Sequence, residues 1–202
     1  MHRFTVAVFA LCSSVAVSAQ AQWLVGVEAG TEAFTGVSRT TGTGPERALR
    51  PHRPAWEGLR AESPGSRLRF GASLLYASPD LALEAVDLAV VDRDDITTVL
   101  GFHPGVMIRV AELRDGVALR AEGGLILEHW GFRNQAGRIR AGGEIGLSLE
   151  VGLGGRFSGV LGGYAGLSAS PFRGEELPQG FEPRSAWRQA LRGSLRIRLQ
   201  GN

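Results

Sequence analysis

Lysine is missing from this sequence of 202 residues, so apart from four histidines every side-chain cation is an arginine. Twenty acidic residues stand against 22 basic ones, for a formal net charge of +2. No basic stripe of the kind that tracks a phosphate backbone runs through the chain, which argues against a nucleic-acid partner. Cysteine is nearly as scarce. Cys12 is the only one, and it lies in the first apolar segment, so no disulfide staples the rest even in an oxidising compartment. After that segment no apolar run approaches the ~18 residues of a membrane-crossing helix, which excludes a helical membrane protein. The histidines, His2, His52, His103 and His129, are scattered and offer no close ligand set, so no metal site is expected. The glycine-rich piece Gly162-Gly163-Tyr164-Ala165-Gly166 lies within a strand pattern with no helix after it. It lacks the context of a phosphate-cradling loop, and no cofactor is expected.

At the N-terminus a positive end, His2 and Arg3, leads into an apolar run from Phe4 to Leu11 that continues in small residues to Val17, followed by Ala19-Gln20-Ala21. This is the layout of a cleaved secretory signal. We read residues 1–21 as that signal and 22–202 as one exported domain beginning at Gln22. Lipidation at Cys12 is disfavoured because Leu11 stands where a lipid-attachment site needs a small residue.

The exported part alternates. Between Arg138 and Leu153 one parity carries Ile139, Ala141, Gly143, Ile145, Leu147, Leu149, Val151 and Leu153, and the other Arg138, Arg140, Gly142, Glu144, Gly146, Ser148, Glu150 and Gly152. A period of two held that long is a β-strand with one apolar face and one charged or small face. The pattern returns over Arg67 to Tyr76, Leu100 to Val110, Val117 to Leu127 and, at the C-terminal end, through Leu191, Leu195, Ile197 and Leu199. Trp23 to Glu32, Ala55 to Glu62 and Arg156 to Ser170 complete eight candidate strands.

The connections follow a rhythm. Ser63-Pro64-Gly65-Ser66, Arg114-Asp115-Gly116 and Gly154-Gly155 are tight and rich in turn formers, whereas 37–54, 77–96, 133–137 and 171–186 read as loops. Short turns at one end and longer loops at the other are the asymmetry of an outer-membrane barrel. Three features turn the apolar parity toward lipid. Glycine crowds the polar parity, as a narrow interior requires. Arginine and glutamate there nearly balance, as buried charges must. Trp23, Tyr76, Trp130, Phe132, Phe157, Phe172 and Trp187 fall near strand ends, where interfacial girdles sit. The expected fold is all-β: a closed antiparallel up-and-down β-barrel of eight strands, embedded in a membrane.

On these alternations and connections the sequence resembles the small eight-stranded outer-membrane proteins of the OmpA and OmpX type. The resemblance spans the exported domain but is one of architecture, without a family-specific motif. It implies an outer-membrane location, contact with lipid and lipopolysaccharide, insertion by the barrel-assembly machinery, an interior filled by ionic side chains, and function carried on external loops. The chain departs from the pattern at its last residues, Leu199-Gln200-Gly201-Asn202, where such proteins end in an aromatic. Pro104 within a strand predicts a bulge at Pro104-Gly105. The stretch Leu81 to Val91 suits β-structure above the membrane.

The inward charges are expected to be Glu28, Arg60, Arg69, Arg109, Arg120, Glu122, Glu144, Glu150, Arg192 and Arg196. They form either a static filling or a gate that swaps partners and passes ions, and the width of eight strands favours the filling. Catalysis is disfavoured. A lipid-A deacylase would need a serine beside the outward His129, whose same-face neighbour is Gly131, and a palmitoyltransferase would need an apolar lumen. In the first loop, Arg39, Arg47, Arg50, His52 and Arg53 offer cations to lipopolysaccharide or another ligand. The expected function is therefore a non-enzymatic structural or surface-binding barrel. The rival is a soluble periplasmic lipocalin-like barrel with an apolar ligand inside.

Overall fold

A computed structural model describes residues 22–42, 47–85, 88–92, 96–133 and 135–199. The signal read at 1–21 and the terminal Gln200-Gly201-Asn202 lie outside the described residues. The strands are β1 (Leu24–Thr35), β2 (Ser38–Thr40), β3 (Ala48–His52), β4 (Ala55–Glu62), β5 (Leu68–Ala77), β6 (Asp80–Ala85), β7 (Leu88–Asp92), β8 (Ile96–Arg114), β9 (Val117–Phe132), β10 (Gln135–Gly154), β11 (Phe157–Ser168), β12 (Phe181–Pro183) and β13 (Ala186–Arg198). Eight of them close a barrel in the order β1-β13-β11-β10-β9-β8-β5-β4. Closure is complete because β1 pairs with β13 from Leu24↔Arg198 to Thr35↔Trp187 and with β4 from Leu24↔Glu62 to Thr31↔Ala55. No barrel strand is left with an unpaired edge, the condition for a sheet in hydrocarbon.

Facing follows the pleat. Ile145 (70 % exposed), Leu147 and Leu195 point outward with Val27, Leu59, Leu125 and Leu191, while Arg196 (1 %) and Glu28 (3 %) point inward. This is the opposite of what the lipocalin-like alternative needs, an apolar lining around a ligand. Bulky outward residues sit across from small ones, Ile145 against Gly123 and Leu147 against Ala121, so the outer surface stays even.

The start of β1, the end of β13 and the three tight turns lie at one end of the barrel, since Leu24 faces Arg198 and Glu62. The other end carries the described parts of 36–54, 78–92 and 169–185, which fold into a small superstructure. There β3, β6 and β7 form a three-stranded sheet and β2 pairs with β12, so Leu81 to Val91 is β-structure beyond the barrel wall. The connection read as a loop over 133–137 is corrected: β10 already pairs at Gln135↔Phe132, making a tight hairpin that prolongs both strands. β8 and β10, at 19 and 20 residues, are about twice the 9 to 11 needed to cross.

Two further corrections concern details. Pro104 makes no bulge. Pairing of β8 with β9 lapses at 103–104 and resumes in the same register at Gly105↔Gly124, while Pro104 still stands opposite Ala72 of β5. A missing N–H removes a ladder bond without requiring an extra residue. The aromatic girdle is thinner than expected. Tyr76, Phe157 and Trp187 are outward, but Trp130 is 1 % and Phe172 7 % exposed, and Phe132 packs beside them in the interior of the loop end.

Candidate functional site

The interior is a continuous ionic column in three tiers, built because the even positions of β1, β4, β9, β10, β11 and β13 and the odd positions of β5 and β8 share it. In the tier nearest the loops, Arg188 donates from Nε and Nη2 to the two carboxylate oxygens of Glu32, both at 2.7 Å, and from Nη2 to Glu128 at 2.6 Å. Two indoles complete these acids: Trp56 Nε1 donates to Glu32 at 2.9 Å and Trp130 Nε1 to Glu128 at 3.0 Å. Phe34 lies against the Arg188 guanidinium at 4.7 Å and meets Trp130 edge-on at 6.0 Å.

In the middle tier Arg192 grips Glu144 with two bonds of 2.9 and 2.7 Å and stacks over Tyr164. His103 stands between acids, Nδ1 at 3.3 Å from Glu144 and Nε2 at 3.4 Å from Glu128, linking this tier to the one above. Arg60 donates to Glu28 at 3.3 Å, to Glu62 at 2.7 Å and to Glu122 at 2.8 Å. Ser73 caps Glu28, and Ser148 and Tyr164 donate to Glu122. In the tier nearest the turns Glu62 accepts from Arg196 and Arg69, and Glu150 from Arg69 at 2.8 Å and Arg120 at 2.6 Å.

Nine of the ten residues read from sequence meet here. The tenth, Arg109, also faces inward, opposite Arg120, but it stands at the turn-end mouth and pairs with the exposed Glu112 at 2.9 Å instead of joining the column. Sequence reasoning left out Glu32, Glu62, Glu128 and Arg188 as network members. Each shares parity with a neighbour it did include: Glu32 with Glu28, Glu62 with Arg60, Glu128 with Glu122, and Arg188 with Arg192. Extending each face by one to three pleats would have found them.

Little space remains. The cavity between Arg60, His103, Glu122 and Tyr164 measures about 20 Å³, room for a single water. Above the column an apolar cluster closes the loop end, uniting Phe34, Trp56, Leu75, Ile96 and Trp130 of the barrel with Val37, Leu81, Phe172 and Leu177 of the connections. The connections are tied to one another by Ser170 Oγ donating to the Val37 carbonyl at 2.9 Å and Thr41 N to that of Gly180 at 2.7 Å.

Of the first-loop cations, Arg50 is engaged by Glu84 and by the Phe34 carbonyl, whereas Arg39, Arg47 and Arg53 are exposed and His52 is half-buried. Arg53 has a left-handed backbone, φ 34°, uncommon for a residue with a Cβ. His129 projects outward with Leu100 and Ile139 opposite it, so the serine partner a deacylase would require is not at either cross-strand position.

No protein-family model matches the chain, and no curated protein matches it. Among solved structures it is similar to Neisserial surface protein A, with a TM-score of 0.54 and 7 % identity over 88 % of this chain and 97 % of that one. A second similar structure is Ail, the attachment invasion locus protein of Yersinia pestis, solved with the heparin analogue sucrose octasulfate, at a TM-score of 0.42 and 11 % identity over 87 % of this chain and 99 % of that one. At these identities the likeness to Neisserial surface protein A is one of fold: an eight-stranded closed barrel.

Proposed function

We propose that this chain is an outer-membrane protein whose barrel serves as a closed, non-conducting and non-catalytic anchor for a folded external cap. The observation that carries the reading is the filled middle of the lumen: ion pairs cross it there with about 20 Å³ to spare, and an apolar cluster lies over the loop end. A hydrated ion needs a continuous water path, and fixed pairs across an eight-stranded interior leave none. The outward leucines, isoleucines and valines supply the surface that lipid covers. Residues 1–21 serve as the export signal, and the barrel-assembly machinery inserts the domain. The cap presents Arg39, Arg47 and Arg53 to the anionic groups of lipopolysaccharide.

Planar-bilayer recordings of the purified protein test this reading. No single-channel current is expected, for wild type or for Glu144→Gln. A steady conductance that changes in Glu144→Gln would replace the anchor with a gated pore. Cell fractionation tests the location, and recovery from the soluble periplasmic fraction would end the membrane reading.

A further inference from the structure

The inner mouth, at the end with the tight turns, opens into a polar vestibule of about 580 Å³ that a closed anchor does not use. Arg69, Arg120 and Ser158 form part of its lining, and Arg156 and Arg198 stand at its rim. Charge is out of balance here. Arg69, Arg120 and Arg196 share two carboxylates, Glu62 and Glu150, and Glu62 is divided further with Arg60. At the rim Arg109 is matched by Glu112, while Arg156 and Arg198 have no carboxylate partner among the described residues.

Hydrogen bonding is incomplete at the same level. Arg120 Nη1, Ser158 Oγ and Arg196 Nε are shut away and have no partner among the described residues, in residues 3 %, 8 % and 1 % exposed. Ser158 and Arg196 are direct cross-strand partners, so two of these groups adjoin. Buried donors need acceptors. A water would satisfy the donors and leave the excess of guanidinium uncompensated, whereas a tetrahedral oxyanion does both, and arginine forks are matched to it.

We propose that the inner vestibule is a binding site for a phosphate-type oxyanion, held by Arg120 and Ser158 with Arg69, and attracted by Arg156 and Arg198 at the rim. Because Arg120 and Ser158 already line the vestibule, a side-chain rotation turns their free donors to the ligand. The anion is either free phosphate or the phosphate of a lipid headgroup at the adjoining leaflet.

The test uses the exported domain folded in a maltoside detergent, with inorganic phosphate as the probe followed by calorimetry and ³¹P line broadening. Saturable binding is expected, weakened at least about tenfold by Arg120→Gln with Ser158→Ala and unaffected by Arg184→Gln at the other end, where that arginine is paired with Glu182. Should the buried pair of changes prevent folding, the exposed Arg156→Gln and Arg198→Gln together still read the site, with about a threefold loss and a shallower salt dependence. Repeating the titration in phosphatidylglycerol nanodiscs separates the sources. Loss of phosphate binding there identifies the headgroup as occupant, and unchanged binding identifies the free anion. No saturable binding at millimolar phosphate, or equal binding by wild type and every vestibule variant, overturns the proposal.

Discussion

Arg188→Met removes the cation at the centre of the outer tier. The side chain is 2 % exposed, and its loss leaves Glu32 and Glu128 facing each other with the Trp56 and Trp130 indoles as donors and His103 Nε2 3.4 Å from Glu128. Removing one partner of a buried ion pair costs about 3–5 kcal/mol. Here one guanidinium serves two carboxylates, so the cost should fall near the upper figure, a large share of the about 5–15 kcal/mol that holds a domain folded. Adding Glu32→Gln and Glu128→Gln to the same chain removes the stranded charges and should restore most of the loss, because neutral replacements of a complete buried network are often close to neutral. Urea unfolding in lipid vesicles measures both, read from Trp56 and Trp130 after Trp23→Phe and Trp187→Phe silence the remaining tryptophans. A loss below about 1 kcal/mol for Arg188→Met, or no recovery in the triple variant, would show that these contacts do not carry the energy assigned to them.

Three other outcomes follow from the geometry. Leu147→Arg puts a charge on the outward face opposite Gly163 and Ala121; near mid-membrane it should cost about 2–4 kcal/mol in vesicle unfolding, against about 0–1 for Leu153→Arg beside the turn. Gly146→Ala would set a methyl 2.4 Å from the Tyr164 ring and 2.6 Å from the Gly163 carbonyl and should destabilise by about 1–3 kcal/mol. Gly163→Ala, whose Cβ meets nothing within 4 Å, should be neutral or gain about 0.5 kcal/mol; equal effects at the two sites would contradict the assigned facing. Phe172→Ala removes an anchor of the outer cluster, so trypsin should cut at the exposed Arg173 while heat-modified gel mobility still reports a folded barrel. Cleavage no faster than wild type would mean that the cap does not depend on this ring.

The period-two pattern made most of the barrel legible, because in lipid the outward face admits only apolar residues and the pleat hands every other position to the lumen. Arg138 to Leu153 illustrates this: Ile145 and Leu147 are outward and Glu144 and Ser148 inward, as the alternation requires. Legibility failed where another force overrides the pleat. Trp130 and Phe172 looked like girdle residues because aromatics near strand ends read alike whether they meet headgroups or a folded loop; the deciding contacts, with Phe34 and Phe132, come from distant parts of the chain. Over 133–137 the turn formers Asn134 and Gly137 point to a loop, yet pairing is already present at Gln135 and shifts its register before Arg138.

The absence of lysine has a structural counterpart in the lumen. Arg60 addresses three carboxylates on three other strand positions through three different nitrogens, Nε to Glu62, Nη1 to Glu28 and Nη2 to Glu122. A planar fork reaches acids that lie apart, whereas an ammonium concentrates its donors at one point. Arg188 likewise uses Nε and Nη2 to join Glu32 and Glu128, while Arg69 joins Glu62 and Glu150 through Nη1 alone. The pairs connect residues far apart in sequence, Glu32 with Arg188 and Glu62 with Arg196, so the last strand is tied through the lumen to β1, its ladder partner, and to β4, with which it shares no ladder. Such a lumen repacks only if several bonds break together, and that concerted cost argues for a filled anchor over a gate whose partners exchange singly.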